Sequence, residues 1–429
     1  MAAFFGRFNG FKACFLIASA ALAAGGLVSR SWADELSPQP TRDWSPLMVG
    51  GWQLSPTFFA GAIYNSNVDQ NPIKPDASWG ERIVPGITAD LNNGIYTTHV
   101  YGVADITNYA NSDVTTKTAV DAKAGFTQVY APAPDLTFRL GGDYTREADV
   151  FGTSALATIN PFQPSTPSAP SASTIISPQA NSGRYNQFSG TFSVDKSFGR
   201  TFVGLTASAV KTIFDSNSML PTNLNRTVYT ITERTGFNLT PQIYAFVDPS
   251  VDWQRYSDAT QDSNGYRVTA GVGTLAVGIW KGEVFGGYQT EKNDTTGTLN
   301  SPVFGFRVGY SPTPIWNFQA SVDETLSAAT VAAGTTTTSA ARVATALVNA
   351  EYKGLPQDWT TSARIGFVRT QYVGVARTDN GWLAGANVRY EFWRNLGITL
   401  DYQYKSVESD VALQSFSQHL VSLGASYKY

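Results

Sequence analysis

Apolar and polar residues alternate in short segments from Gly50 to the end of the chain, and turn residues separate the segments. In the segment 397–405, for example, Ile398 and Leu400 lie on one face of an extended strand, and Thr399 and Asp401 lie on the other. A repeat of two residues is typical of β-strands, and no helical repeat of 3.6 residues persists along the chain. The pattern therefore predicts an all-β protein.

The composition of the two strand faces distinguishes a membrane β-sheet from a soluble one. The strands of a soluble β-sandwich also alternate between apolar and polar residues, so alternation alone does not decide. Here the polar face carries charges and glycines in mid-strand, while the apolar face continues for about 9 to 11 residues, the span of a tilted transmembrane strand. Open sheet edges are not tolerated in hydrocarbon, so such strands must close on themselves. We expect a single transmembrane antiparallel up-and-down β-barrel.

The connectors between the segments predict the strand number. Short connectors alternate with long polar ones, which is the arrangement of bacterial barrels with short periplasmic turns and long outer loops. Eight short and nine long connectors predict about 18 strands, and merging or losing one hairpin gives the alternative of 16. The short connectors are 92–94, 131–134, 199–200, 241–242, 280–282, 313–314, 354–357 and 394–395. The long ones are 65–78, 109–113, 149–183, 216–225, 257–264, 292–299, 329–338, 375–380 and 409–415.

The N-terminus has the pattern of a secretory signal peptide. Basic residues and no acids precede an apolar run at 13–28, which is too short to span a membrane as an anchor. Small residues before the cut predict cleavage between Ala33 and Asp34, so residues 1–33 form the signal. Residues 34–49 then form a proline-spaced periplasmic lead, and residues 50–429 form the barrel. Within it, the Pro-, Ser-, Thr- and Ala-rich stretch 149–183 is expected to be a long extracellular loop.

The C-terminus keeps the strand pattern to the last residue. Val421, Leu423, Tyr427 and Tyr429 share one face, and the chain ends on an aromatic side chain. This ending resembles the signal that the barrel-assembly machinery reads on the final strand of outer-membrane proteins. The last strand is therefore expected to pair with the first and to close the barrel.

Composition narrows the chemistry further. Charged residues make up only 15% of the chain and aromatic residues 13%, against about 25% charged in soluble proteins. Removing residues 1–33 takes Arg7, Lys12 and Arg30 from 30 basic residues, leaving 27 against 33 acidic ones. A mildly acidic chain without basic runs is a poor nucleic-acid binder. Cys14, the only cysteine, lies in the signal, so the mature chain has no disulfide, thiol nucleophile or cysteine-based zinc site.

Catalytic and metal-binding motifs are weak in this sequence. Only His99 and His419 are available as histidines, and a hydrolase needs a serine, a histidine and an acid to converge in space. The acidic stretch 69–76 lacks the ligand spacing of a calcium loop, and 271–278 lacks the Lys-Ser/Thr of a phosphate loop. We therefore expect no enzyme, no metal and no cofactor, while an outer-membrane esterase, deacylase or protease remains the enzymatic alternative.

The polar face supplies the candidate functional residues. A charge in lipid would cost about 2 to 4 kcal/mol at the midplane, so charged mid-strand residues are expected to line the lumen. They either pair into a wall without selectivity or form a ladder that orders water and passing solutes. The expected lumen residues are Asp121, Lys123, Arg139, Asp143, Arg234, Arg307, Arg364, Arg389, Glu391, Asp401 and Lys405.

The first strand region resembles a known family. Residues 48–68 combine a glycine start at Gly51, Pro56 and a Tyr-x-Ser-Asn close at Tyr64, Ser66 and Asn67. This combination resembles the opening of the putative beta-barrel porin 2 family. The resemblance implies an outer-membrane barrel without catalytic residues, in a family of poorly defined cargo in which some members are associated with secretion of extracellular polysaccharide.

The sequence favours a porin-like channel of the outer membrane for hydrophilic solutes, because barrels of 16 to 18 strands leave an aqueous channel. Two alternatives remain open: an export barrel for extracellular polysaccharide, and a closed structural or adhesive barrel. The expected partners are outer-membrane lipid, the barrel-assembly machinery, and small hydrophilic solutes or polysaccharide. Nucleic acid is not an expected partner, and the sequence leaves the oligomeric state open.

Overall fold

The computed structural model describes most of the chain from Leu47 onward. The described residues are 47–147, 184–215, 225–257, 259–277, 279–293, 297–327, 331–333, 336–338, 341–352, 358–373, 376–393, 395–412 and 414–428. Among them, no helix has the length and apolarity needed to cross a membrane. The predicted signal peptide, the stretch 149–183 and Tyr429 lie outside the described residues.

Twenty-one strands and one short 3-10 turn at Ala259–Gln261 make up the regular structure of the described residues. Eighteen of the strands, each 12 to 17 residues long, form the barrel wall. The strands are β1 (Leu47–Val49), β2 (Trp52–Asn65), β3 (Ser78–Asn92), β4 (Tyr96–Tyr109), β5 (Thr118–Ala133), β6 (Leu136–Glu147), β7 (Tyr185–Phe198), β8 (Thr201–Phe214), β9 (Arg226–Asn238), β10 (Ile243–Tyr256), β11 (Ser263–Val277), β12 (Trp280–Asn293), β13 (Gly297–Thr313), β14 (Trp316–Ser327), β15 (Val331–Ala333), β16 (Thr336–Thr338), β17 (Ala341–Tyr352), β18 (Trp359–Tyr372), β19 (Thr378–Trp393), β20 (Leu396–Ser409) and β21 (Phe416–Lys428).

Each wall strand pairs antiparallel with its neighbour in the sequence, and β21 pairs with β2 to close the barrel. At this seam Gly61 lies opposite Gly424. The two backbones are so close that a Cβ on Gly424 would lie 2.3 Å from the carbonyl oxygen of Ala60. The structure thus confirms a closed up-and-down barrel of 18 strands rather than 16.

Three short strands lie outside the wall. β1 folds back on β2 through Gly50 and Gly51, whose positive φ angles of 56° and 88° suit residues without a Cβ. β15 and β16 form a hairpin in the connection between β14 and β17. They lie within the connector predicted at 329–338.

Some predicted connector boundaries were wrong. The segment 292–299 is not a long connector, because β12 continues to Asn293 and β13 begins at Gly297. Likewise Trp280 begins β12 and Ala133 ends β5, although both were assigned to turns. Strands that extend beyond the apolar layer meet water on both faces. The alternation of apolar and polar residues therefore ends before the hydrogen-bonded strand does.

The outer face carries exposed apolar residues and rows of aromatic rings. Leu140, Leu205, Val284 and Leu423 are among the exposed residues of the wall. At the ends that the short turns connect, the rings of Trp280 and Tyr310 stack at 4.0 Å. Further cross-strand pairs at these ends are Tyr96–Tyr130, Trp316–Tyr352 and Trp359–Tyr390. An apolar band with aromatic rows is the surface of a transmembrane barrel.

Candidate functional site: the inner face of the barrel

Strand alternation assigns one set of side chains to the inner face. On β6, Leu140 is 49% exposed on the outer face, and its neighbour Arg139 lies on the opposite face. On β20, Leu400 is exposed and Asp401 lies opposite. The same parity places all eleven residues expected in the lumen on the inner face. Whether they act on passing solutes stays a prediction.

A cluster of charges on β9 to β13 contains the most enclosed of these residues. Arg234 donates from Nε and Nη2 to the two carboxylate oxygens of Asp248, at 2.9 and 2.6 Å, and from both Nη atoms to Glu283 at 3.2 Å. Its guanidinium lies 4.2 Å from the ring centroid of Phe246. Arg307 Nη1 lies 4.0 Å from Glu283. The two carboxylates therefore neutralise Arg234 on the wall.

The neighbouring sector, β3 to β7, repeats this pairing. Arg82 donates from Nε and Nη2 to Asp105 at 3.0 and 2.6 Å, and from Nη1 to Ser422 at 3.1 Å. Arg139 pairs with Asp195 on the neighbouring strand. These bonds fix guanidinium groups along the wall instead of leaving them free in the lumen.

The two predicted acids of this sector also have partners. Asp121 accepts a hydrogen bond from Arg184 Nη1 at 2.7 Å. Asp143 accepts one from the Tyr101 hydroxyl at 2.7 Å and one from Ser189 at 3.2 Å. Lys123 and Lys405 lie on the inner face by parity. Most of the inner wall around these residues is thus internally paired.

Inward-facing glycines provide the room for these contacts. A Cβ on Gly125 would lie 2.3 Å from Asp143 and 2.8 Å from Tyr101, whose side chains meet over it. A Cβ on Gly385 would lie 2.9 Å from Nε of Arg364. Glycine lets a long side chain from an adjacent strand lie flat on the wall. The prediction that strand glycines mark places where large neighbours pack is correct at these positions.

A cavity of about 410 Å³ opens on the inner wall formed by β14 and β17 to β20. Its polar lining consists of one guanidinium, two carboxylates, four amides and one serine hydroxyl, with Leu347 and Leu383 among the apolar contacts. The polar residues are Asn317, Gln319, Asn349, Glu351, Ser362, Arg364, Asn387 and Asp401. Asn387 Nδ2 donates to Asp401 at 3.3 Å. The lining can both donate and accept hydrogen bonds toward a polar solute.

Arg389 and Glu391 lie nearer the short-turn end of β19. Arg389 Nε is 3.1 Å from Glu391 Oε1, and the two side chains are 17% and 38% exposed. An ion pair with one partly exposed member is weak. Of the predicted charges, this pair is therefore held less firmly than Arg234.

The long-connector end contains an ion pair that sequence inspection missed. Arg377 contacts Asp379 at 2.6 Å, and their side chains are 2% and 0% exposed. Asp379 also accepts hydrogen bonds from Tyr372 and Ser409, so it joins β18, β19 and β20. Burial acts to lower the pKa of Arg377, but the hydrogen bond to Asp379 and the charge interactions with Tyr372 and Asp379 together raise this pKa above its ordinary value.

Other missed inner residues are the partners Arg82, Asp105, Asp195, Asp248 and Glu283. Their strand parity was available in the sequence. The cross-strand register that brings each to a residue of opposite charge was not.

The two histidines lie apart. His99 Nδ1 is 2.6 Å from Asp90 and its ring stacks on Tyr101. His419 lies near the long-connector end, 3.0 Å from the Tyr402 hydroxyl. In the part of the chain that the structure describes, no group of three or more His, Cys, Asp or Glu residues is placed to hold a metal ion.

The chain has a low similarity, with TM-scores below 0.5, to several solved structures. OpdK of Pseudomonas aeruginosa, solved with vanillate, has a TM-score of 0.43 and 10% identity, over 88% of this chain and 99% of that one. OccK9 (OpdG) of the same species has a TM-score of 0.44 and 11% identity, over 88% and 98%. The siderophore receptor PirA of that species has a TM-score of 0.41 and 7% identity, over 88% and 80%. No curated protein matches the chain.

The family match covers the whole barrel wall. The sequence profile described as "Putative beta-barrel porin 2" matches residues 45–429. This range contains the 18 wall strands, the exposed apolar band and the charged inner face. The resemblance seen at residues 48–68 is therefore confirmed over the whole wall. The chain belongs to the putative beta-barrel porin 2 family and is a porin-like barrel of the outer membrane.

Proposed function

We propose that small hydrophilic solutes pass through this barrel and contact the amide-lined cavity on β14 and β17 to β20. The observation that carries the proposal is the composition of that cavity, in which Arg364 and Asp401 lie among four side-chain amides. Amides together with positive and negative side chains can hydrogen-bond a cationic, an anionic or an uncharged solute. A polar, uncharged or zwitterionic solute fits this lining best.

Weak ion selectivity follows from the pairing of the other inner charges. Arg234, Arg82 and Arg139 each lie against a carboxylate. A neutralised pair contributes little field in the lumen compared with a lone charge. The wall therefore supports the paired alternative more than a ladder of free charges, and selection rests on the cavity lining.

A pair of variants on one strand tests the role of the cavity. Arg364 faces the cavity, whereas Arg369 lies five residues along β18 on the outer parity with exposed Ile365. Arg364→Gln should raise the cation-to-anion permeability ratio of reconstituted channels, and the matched control Arg369→Gln should not.

The expected size follows from Coulomb's law. A unit charge about 8 Å from a passing ion in water contributes about 0.5 kcal/mol, with opposite sign for a cation and for an anion, so the ratio should change by about 1 kcal/mol, or about sixfold before salt screens the charge. Reversal potentials should be measured at low salt, because the Debye length is about 10 Å at 0.1 M. Equal ratios for both variants and the unmodified protein would contradict the proposed contact with solute.

Export of extracellular polysaccharide is the second candidate. The amide-lined cavity favours it, since amides hydrogen-bond sugar hydroxyls, and the inward ring of Tyr244 on β10 is partly exposed. The inward rings of Phe246 and Phe285 are buried beneath arginine side chains. A strain lacking the protein would then lose surface polysaccharide while its uptake of small solutes stays unchanged. Loss of uptake with normal polysaccharide would favour the first candidate.

The proposal includes no catalytic step. In the same proposal, the barrel reaches the membrane after removal of residues 1–33, inserts by way of the barrel-assembly machinery and contacts lipid through its exposed band. Intact-mass measurement on outer-membrane fractions tests the processing, since the mature chain should begin at Asp34. A retained N-terminus would contradict it.

A further inference from the structure

Three neighbouring strands bring two carboxylates together over a glycine. Asp252 on β10 lies opposite Gly265 on β11, which in turn lies opposite Glu291 on β12. A Cβ on Gly265 would lie 2.2 Å from Glu291 Oε2 and 2.4 Å from an Asp252 oxygen. Both carboxylates therefore point into the space that the missing side chain leaves.

The next row of the sheet adds two more oxygen-bearing side chains. Gln254 lies opposite Ser263 in this row. The Ser263 hydroxyl donates to Glu291 Oε1 at 2.7 Å. The Gln254 amide nitrogen lies 3.3 Å from an oxygen of each carboxylate. The four side chains form one cluster near the long-connector end of the barrel.

Two oxygens of this cluster are buried without a hydrogen bond. Glu291 is 2% exposed and its Oε2, the atom aimed at Asp252, has no partner. Gln254 is 3% exposed and its Oε1 has no partner. Among the described residues, the ion pairs of this sector join Arg234, Arg255 and Arg307 to other carboxylates. Two adjacent carboxylates without a counter-charge are costly to bury.

A shared proton and a bound cation are the two ways to satisfy such a pair. A shared proton would join the two carboxyl groups, but it would leave one of their two negative charges without a counter-charge. A divalent cation between the carboxylates compensates both charges and takes Glu291 Oε2 as a ligand. A half-turn of the Gln254 amide, which exchanges its nitrogen and oxygen, would bring the amide oxygen to the ion as well.

We propose that Asp252, Glu291, Gln254 and Ser263 form a binding site for a calcium ion. Calcium takes carboxylate and amide oxygens at about 2.3 to 2.6 Å, completes six to eight ligands with water and tolerates irregular geometry. Asp252 is only half-buried, so the ion and its waters can enter from the lumen. The bound ion would join β10, β11 and β12 beside the turn at Ala259–Gln261. This site does not depend on what the lumen conducts.

Calcium titration of the folded, chelator-treated barrel tests the proposal. The unmodified protein should bind calcium saturably in calorimetry, with a dissociation constant of about 0.1 to 1 mM, as in extracellular calcium modules. Glu291→Gln and Asp252→Asn should each weaken binding at least tenfold. Glu408→Gln, an exposed glutamate at the corresponding end of β20, is the matched control and should bind as the unmodified protein does.

A second readout covers the case in which a variant folds poorly. Calcium should raise the thermal unfolding midpoint of the unmodified protein, and the shift should disappear in Gly265→Ala, whose new methyl group occupies the space between the carboxylates. Absence of saturable calcium binding by the unmodified protein would overturn the site in favour of a shared proton. Binding by Glu291→Gln with unchanged affinity would also overturn it.

Discussion

Replacing Arg234 by methionine should destabilise the barrel strongly. The change keeps an unbranched side chain on the wall and removes the cation that joins Asp248 and Glu283. The three side chains are 13% to 16% exposed. Removing one member of a buried ion pair costs about 3 to 5 kcal/mol, and the wet lumen places this case at the lower end. We expect a loss of about 3 kcal/mol, a factor of about 100 in the unfolding equilibrium.

The assay is denaturant unfolding of the barrel in lipid vesicles, followed by tryptophan fluorescence. Arg389→Met is the matched control, because Arg389 has one partly exposed partner and its loss should cost less than about 1 kcal/mol. Adding Asp248→Asn and Glu283→Gln to Arg234→Met should recover part of the loss, since the carboxylates left without a counter-charge are then neutral.

Equal unfolding midpoints for Arg234→Met and Arg389→Met would refute this reasoning. Such a result would mean that water in the lumen solvates Asp248 and Glu283 as well as the guanidinium does. The pairing of the wall would then have no structural role.

Three further tests concern the wall and its assembly. Gly424→Val should block closure, because its Cβ would overlap a carbonyl oxygen across the seam; a variant that shows heat-modifiable migration on a gel would contradict the close approach. Val388→Asp should prevent assembly and Arg389→Glu should preserve it while altering ion selectivity, since the two residues lie on opposite faces of β19; the reverse outcome would invert the strand's parity. Deleting Tyr429 should reduce assembly far more than Ser173→Ala in the stretch predicted to be a loop, and equal folding of the two variants would refute the role of Tyr429 as a signal.

The number of strands and the face on which each side chain lies could be predicted, because lipid accepts only apolar side chains at the outer face. A charged residue such as Arg139 is costly to place in hydrocarbon, so it faces the lumen. Its neighbour Leu140 then faces the lipid. Turn residues then separate one strand from the next, and the count followed from them. Errors arose at strand ends such as 292–299, where water meets both faces and the apolar signal is lost.

The contacts within the wall could not be predicted in the same way. Arg234 on β9 contacts Glu283 on β12 across two intervening strands, and Asp252 meets Glu291 across one. Such contacts depend on the register between strands, which a pattern within one strand does not contain. An inward glycine such as Gly265 indicates where two long side chains can meet. It can be recognised only once the strand register shows that Asp252 and Glu291 lie opposite it.

Single-channel recording in planar lipid bilayers tests the central claim most directly. The purified mature chain, shown to be folded by its heat-modifiable migration, should insert and give stepwise currents with a steady conductance and weak ion selectivity. Folded protein that inserts into the bilayer and gives no current steps would contradict an open lumen and would favour the closed structural or adhesive barrel.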